Sequence, residues 1–178
     1  MICRLGRVTK IRPAVPADLP AIAQVHTRAR GEAYKDLVPA AALHAVDADA
    51  LARWWEQRWE YERETHRMAV AQDAAGSVVG FTYVGPSADA GTAELYAIHV
   101  DPDRQGGGIG RALMASALES LAALGAARAV LWVLAGNEPA RRFYERGGWR
   151  RDGVEREGPV GPALTRQVRY SRWLGGST

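Results

Sequence analysis

Cysteine is almost missing from this chain. Cys3 is the only one in 178 residues, so no intramolecular disulfide is possible and a cysteine-rich metal site is excluded. Such usage suits a reducing compartment, and a cytoplasmic location is expected. Long apolar runs are missing too: no stretch approaches the ~20 residues that a membrane-spanning helix needs. Met1 to Lys10 carries Arg4, Arg7 and Lys10 without an apolar run, so no secretory signal is expected. There is no internal repeat and no low-complexity linker. Charge of one sign is not in excess, since 23 Lys and Arg stand against 20 Asp and Glu, for a net +3 and a pI near 9.3. The arginines are dispersed among acids. Neither a nucleic-acid nor a membrane partner is expected, because the first requires a clustered basic stripe. His26, His44 and His66 have no partners at ligand spacing, so no metal is expected.

What is present is ordinary for a soluble globular protein: 47% hydrophobic and 24% charged residues. The length fits one domain over 1–178. A chain of this size buries roughly 70% of its unfolded surface, enough for its own core.

The hydrophobic pattern changes period along the chain. Val8 to Arg12 reads as a short strand, broken by Pro13 and Pro16. Asp18 can cap a helix from Leu19 to about Arg30, ended by Gly31. Leu43 to Glu64 reads as a second helical region holding Trp54, Trp55 and Trp59. Met68 to Gln72 and Val78 to Val84 alternate around the turn Asp73 to Ser77, a hairpin signal. Thr92 to Val100 is a strand stopped by Pro102. Gly110 to Ala123 is a helix with Leu113, Ala117, Leu121 and Leu124 at helical spacing. Ala129 to Leu134 is a continuous apolar run, as in a fully buried strand. Pro139 to Arg146 is a short helix that Asn137 can cap. Trp149 to Val154 and Gln167 to Trp173 read as closing strands around a loop at Gly158 to Pro162. This order predicts an α+β fold with a mixed central sheet of about seven strands and about four helices.

The segment Val100 to Gly110, VDPDRQGGGIG, lies between a strand and a helix. Its glycines allow backbone angles closed to other residues and close approach of a ligand. The amides of the loop and first helical turn, with the helix dipole, make an anion site suited to a pyrophosphate. The dinucleotide fingerprint G-x-G-x-x-G fails, because Leu113 stands where its third glycine belongs. The phosphate loop G-x-x-x-x-G-K-[ST] also fails, because no lysine follows the glycines.

The pattern that fits is Q-x-x-G-x-G, formed by Gln105, Gly108 and Gly110 at a strand-to-helix turn. It resembles the acetyl-CoA pyrophosphate loop of the GNAT (GCN5-related N-acetyltransferase) superfamily, bacterial type. Further on, Asn137-Glu138-Pro139-Ala140-Arg141-Arg142-Phe143-Tyr144 resembles the family's N-x-x-A-x-x-F-Y segment, followed by a Glu-Arg-Gly-Gly-Trp turn. The two motifs span about Glu94 to Trp149.

The resemblance implies an acetyl-CoA-dependent N-acetyltransferase with a small-molecule or peptide amine as acceptor and no metal. Gln105, Gly106, Gly107, Gly108, Ile109, Gly110 and Arg111 would meet the pyrophosphate, with Arg104 either adding charge or facing solvent. Ile98, His99 and Val100 would pair with the pantetheine arm as a strand edge pairs with a peptide. An N–H near Val100 would face the oxyanion, and Asn137 would bond the arm. Tyr144 would protonate the leaving thiolate: a phenol of pKa about 10 gives its proton to a thiolate of about 8.5 when positioned to do so. Glu94, eleven residues ahead of Gln105, resembles the glutamate base of the histone-acetyltransferase branch, its other reading being a solvent-facing strand residue. On a regular strand Tyr96 shares the side of Glu94 and His99 takes the other, unless a bulge intervenes. Acceptor recognition would fall in Ala29 to Trp59, where Glu32 and Tyr34 could meet a cationic amine and the three tryptophans form either a ligand wall or a core ridge. An acyl-CoA sensor without turnover is the alternative to the enzyme, and a homodimer fits the fold.

Overall fold

The computed structural model describes residues 10–175. Cys3 and the first two residues of the predicted opening strand, Val8 and Thr9, lie outside them. The elements run β1 (Lys10–Pro13), α1 (Leu19–Tyr34), α2 (Ala40–His44), α3 (Ala48–Glu62), β2 (Arg67–Gln72), β3 (Val78–Pro86), β4 (Thr92–Val100), α4 (Ile109–Ala123), β5 (Arg128–Leu134), α5 (Glu138–Arg146), β6 (Arg150–Val160) and β7 (Ala163–Trp173). Short 3-10 turns at Pro16–Asp18 and Pro102–Arg104 precede α1 and α4. The strands form one seven-stranded sheet in the order β1-β2-β3-β4-β5-β7-β6. Its one parallel pair is β4 with β5, which needs the crossover helix α4 because a tight turn cannot reverse direction for parallel partners.

Helices cover both faces. On one, Ile22, Val25, Leu51 and Trp55 of α1 and α3 pack on Val70, Phe81 and Tyr83. On the other, Met114, Ala117 and Leu121 of α4, with Trp149, pack on Leu95, Leu131 and Val133. Leu113 is fully enclosed between α4 and Val79 of β3, and Leu113→Ala is expected to cost about 3 kcal/mol through lost burial and the cavity left behind.

Several boundaries differ from the sequence expectations. Helix α1 passes Gly31 and ends at Tyr34; Val38 and Leu43 beyond it bury against Leu134 and Val160, and this packing outweighs one glycine's weak preference to stop. The second helical region splits into α2 and α3, with Asp47 capping α3 through a 2.7 Å bond from the Ala50 amide. Asp18 stands before α1 but its carboxylate turns back, accepting from Arg12 at 2.7 and 2.8 Å and from the Val15 amide at 2.8 Å. The expected loop Gly158 to Pro162 shrinks to the turn Gly161–Pro162, and β6 and β7 run on to meet it. Gly161 adopts a positive φ of 56° and lies against the Ala42 carbonyl, where a side chain has no room.

Two irregularities in β4 shape the site. Tyr83 pairs with Ala97 while Val84 pairs with Leu95, so Tyr96 is an extra, bulged residue. On its other edge β4 pairs with β5 only over Thr92–Glu94 against Arg128–Val130. Beyond Glu94 and Val130 the strands part, and the backbone of Tyr96 to Val100 is left facing the gap.

Candidate active site

The gap is the first component of the site. Asp101 donates its amide to Val79 O at 2.9 Å. By the alternation of an antiparallel pair, His99 then bonds to β3, while Ile98 and Val100 turn their N–H and C=O groups into the gap. Gln105 Nε2 reaches back to Val100 O at 3.4 Å, bracing the loop against the strand end.

The loop after β4 supplies the second component. Gly106 and Gly108 have φ of 80° and 87°. This left-handed geometry tips the backbone so that the amides of Gly106 to Arg111 have no acceptor among the described residues. Six consecutive free N–H groups at the start of α4 make a concentrated anion cradle. Three ion pairs brace the loop: Arg104 bonds Asp73 at 2.6 Å, and Arg28 of α1 bonds Asp101 and Asp103 at 2.7 and 2.6 Å. Arg104 therefore acts as a brace to the β2–β3 turn.

Helix α5 is the third component. Asn137 is buried and accepts from the Ala140 amide at 3.3 Å, so its oxygen caps α5 while its NH2 group has no partner among the described residues. Tyr144, two turns on, is half-buried beside Phe143. Burial, together with the nearby Tyr34 phenol, pushes its pKa well above the ordinary value. The hydroxyl is thus fully protonated at neutral pH. Tyr34 reaches the same region from the end of α1.

The opposite face holds a cavity of about 240 Å³, walled by α1, α3, β4 and the strands β5 to β7. The bulge decides which β4 residues line it. Because Tyr96 is inserted, His99 returns to the same face as Tyr96 and Ala97, whereas regular alternation would send it to the other. Its ring stacks on His26 at 4.6 Å, and His26 Nδ1 accepts from the Trp55 indole at 3.3 Å. Burial, with the charge of Arg30, lowers the His99 pKa to about 4 and that of His26 well below its ordinary value. Both imidazoles are therefore neutral.

Glu94 sits at the apex of the gap, half-buried and without a hydrogen-bond or ion-pair partner among the described residues. Burial raises its pKa, against the opposing pull of Arg156 and Arg58. It is not in the cavity wall itself, but Tyr96 and Arg156 beside it are.

Other expected residues divide. Trp54 and Trp55 both line the cavity, Trp55 as a core residue at 1% exposure and Trp54 at 41%. Glu32 is exposed, paired with Lys35 at 2.7 Å, and takes no part in the cavity, whereas Tyr34 lines it. The sequence reading missed Arg58, Arg156 and Trp132. Arg58 covers Trp54 at 4.9 Å, one turn away on α3, a spacing visible in the sequence. Arg156 covers Trp132 at 4.1 Å. That contact depends on β6, β7 and β5 lying side by side, which no local pattern announces.

Comparison with known proteins now decides the family. The acetyltransferase (GNAT) family model matches residues 31–149. The N-acetyltransferase YuaI of Bacillus subtilis (strain 168) is 33% identical over 138 residues, covering 76% of each chain.

The chain belongs to the GNAT acetyltransferase family.

Mycothiol acetyltransferase of Clavibacter michiganensis subsp. michiganensis is 40% identical over 88 residues, which are 49% of this GNAT chain and 28% of that protein. The chain thus spans about a quarter of the length of that relative. The PaiA N-acetyltransferase of Thermoplasma acidophilum, solved with coenzyme A, superposes with a TM-score of 0.72 at 16% identity, over 93% of this chain and 99% of the other. That likeness establishes the shared fold. The matched region holds the parted strands, the free-amide loop and α5. Among the described residues of this GNAT protein, no three His, Cys, Asp or Glu side chains group as metal ligands, and no helix is long and apolar enough to cross a membrane.

Proposed function

We propose that this GNAT protein transfers the acetyl group of acetyl-CoA directly to a primary amine held in the cavity opposite the glycine loop. One observation carries the reading: the backbone left open where β4 parts from β5 runs straight into six unbonded amides at the start of α4. A peptide-like pantetheine arm fits the first and a pyrophosphate fits the second. When bound, acetyl-CoA supplies the activated acyl group, and the protein's residues do the rest. The N–H of Val100, turned into the gap, donates to the carbonyl oxygen as it gains negative charge. Glu94, its pKa raised by burial, accepts the proton of the amine, through water because it stands just outside the cavity wall. Tyr144 gives its hydroxyl proton to the departing sulfur and recovers one from solvent. The Asn137 NH2 group is free to bond the arm.

The stacked, neutral His26 and His99 add no charge of their own to the cavity wall. A cavity of about 240 Å³ favours a small acceptor over a folded protein. The continuous sheet across the described residues supports one domain. The need for acetyl-CoA agrees with a cytoplasmic location. The exposed edge strand β6, with Val154 at 39% exposure, and Leu164 of β7 opposite Pro159, at 72%, support a homodimer contact.

Thiol release from acetyl-CoA across a panel of small amines, amino acids and peptides tests the reading. Acceptor-dependent release, with N-acetylated product identified by mass, is expected. Tight cofactor binding without release for any acceptor would favour the sensor.

A further inference from the structure

The cavity wall is unexpectedly one-sided in charge. Arg30, Arg58 and Arg156 line it, and no carboxylate does. Arg58 is accounted for, since Glu62 takes its Nε and Nη2 at 2.8 and 3.1 Å. Arg30 and Arg156 are not. Among the described residues the one hydrogen bond of the Arg30 side chain is a long 3.4 Å contact to Leu43 O. Arg156 rests on the face of Trp132 and donates its Nε to Gln167 at 2.8 Å. Neither has an ion-pair partner among the described residues, whereas the part-buried Arg12, Arg128 and Arg169 all do.

Arg30 is half-buried, while Arg156 stays accessible at the cavity rim, so an anion entering the cavity can reach both guanidinium groups. Stacking on Trp132 fixes the plane of Arg156 while leaving its Nη groups undirected by any carboxylate, which suits two-point recognition of a planar or tetrahedral oxyanion. The remaining wall, aromatic at Tyr34, Trp54 and Tyr96 and otherwise aliphatic or polar, with both histidines neutral, is uncharged. It offers nothing to neutralise a second cation beside the reacting amine.

We propose that the acceptor is a small primary amine bearing an anionic group, a carboxylate or a phosphoryl group, which Arg30 and Arg156 bind from opposite walls of the cavity. This rests on the acetyltransferase reading and narrows it to amino-acid-like acceptors. It adds an anionic group to the cationic amine expected for this region, and moves its recognition from Glu32 to the cavity arginines.

The test compares acceptors that share a body and differ in the anion: phenylalanine, its amide, phenethylamine and the aminophosphonic analogue of phenylalanine, then leucine with isoamylamine. Two readouts are taken on the wild type and on Arg156→Gln and Arg30→Gln: N-acetyl product by mass, and quenching of tryptophan fluorescence by N-acetylphenylalanine against its amide. The wild type is expected to favour the acids over the matched neutral and cationic amines by about 100-fold or more in kcat/KM, because a site built around an ionic partner rejects analogues that lack it. Each variant should reduce that ratio by about tenfold or more. The ratio is internal to each variant, so a general loss of stability does not mimic the effect. Preference between phenylalanine and its phosphonic analogue identifies the anion. Acid-selective quenching without N-acetyl product for any compound would overturn the acetyltransferase reading and leave the anion site standing. Equal handling of acids and amines, no quenching by the acid, or an unchanged ratio in both variants would overturn the proposal.

Discussion

Glu94 and Val130 are the last residues at which β4 and β5 face each other, and the sheet opens immediately beyond them. The carboxylate thus stands where the cofactor side of the gap meets the acceptor cavity, and burial raises its pKa. A base acts when deprotonated, so kcat/KM should rise with pH through that raised value and level off above it. Glu94→Gln is expected to remove this acidic limb and lower the plateau by about 100-fold. A pH profile of the variant that keeps the same limb would assign the proton transfer elsewhere.

Gly108 precedes α4 with a φ of 87° and a built side chain there would meet only Arg111 Nη2 at 3.6 Å. The penalty for Gly108→Ala is therefore backbone strain, about 1–2 kcal/mol, which for a chain of this size lowers Tm by about 2–8 °C. Gly107→Ala is the comparison, because Gly107 lacks a positive φ and its nearest contact is at 3.9 Å. Thermal melts should separate the two. In Gly108→Ala the KM for acetyl-CoA should also rise about tenfold, because relaxing the strain re-aims the loop amides.

The stack of His26 on His99 carries a pH signature of its own. His99 is held down to about 4 against an ordinary value of 6.5. Between these values the unfolded chain binds more protons than the folded one, so stability rises with pH there. The contribution is complete above about pH 6.5 and is lost progressively as pH falls toward 4. Denaturant midpoints measured from pH 8 down should show this decline, and His99→Leu should flatten it. A decline of the same slope in the variant would place its origin in other groups.

Much of this was legible in the sequence because it rests on short-range patterns. Thr92 to Val100 shows its strand by composition and its end by Pro102, and the structure has those limits. The glycine run and the Asn137 to Tyr144 segment carry their geometry locally, through positive φ angles and a capping side chain. What was not legible depends on distant partners. The bulge at Tyr96 is an insertion relative to β3, so only the pairing of Tyr83 and Val84 reveals it, and with it the side on which His99 lies. Arg156 and Trp132 are 24 residues apart and meet only through β7. The continuation of α1 beyond Gly31, which brings Tyr34 to Tyr144, follows from packing of Val38 and Leu43 on Leu134 of β5 and Val160 of β6.

Single-turnover acetyl transfer by the wild type and by Tyr144→Phe, using an acceptor from the panel, tests the catalytic assignment most directly. Tyr144 packs on the core through its ring, which phenylalanine retains. The expected result is N-acetyl product formed about 100-fold more slowly by the variant, with the Kd for acetyl-CoA within about twofold of the wild type. An unchanged rate, or a loss of cofactor affinity as large as the loss of rate, would contradict the role of Tyr144 as the acid that releases the thiol.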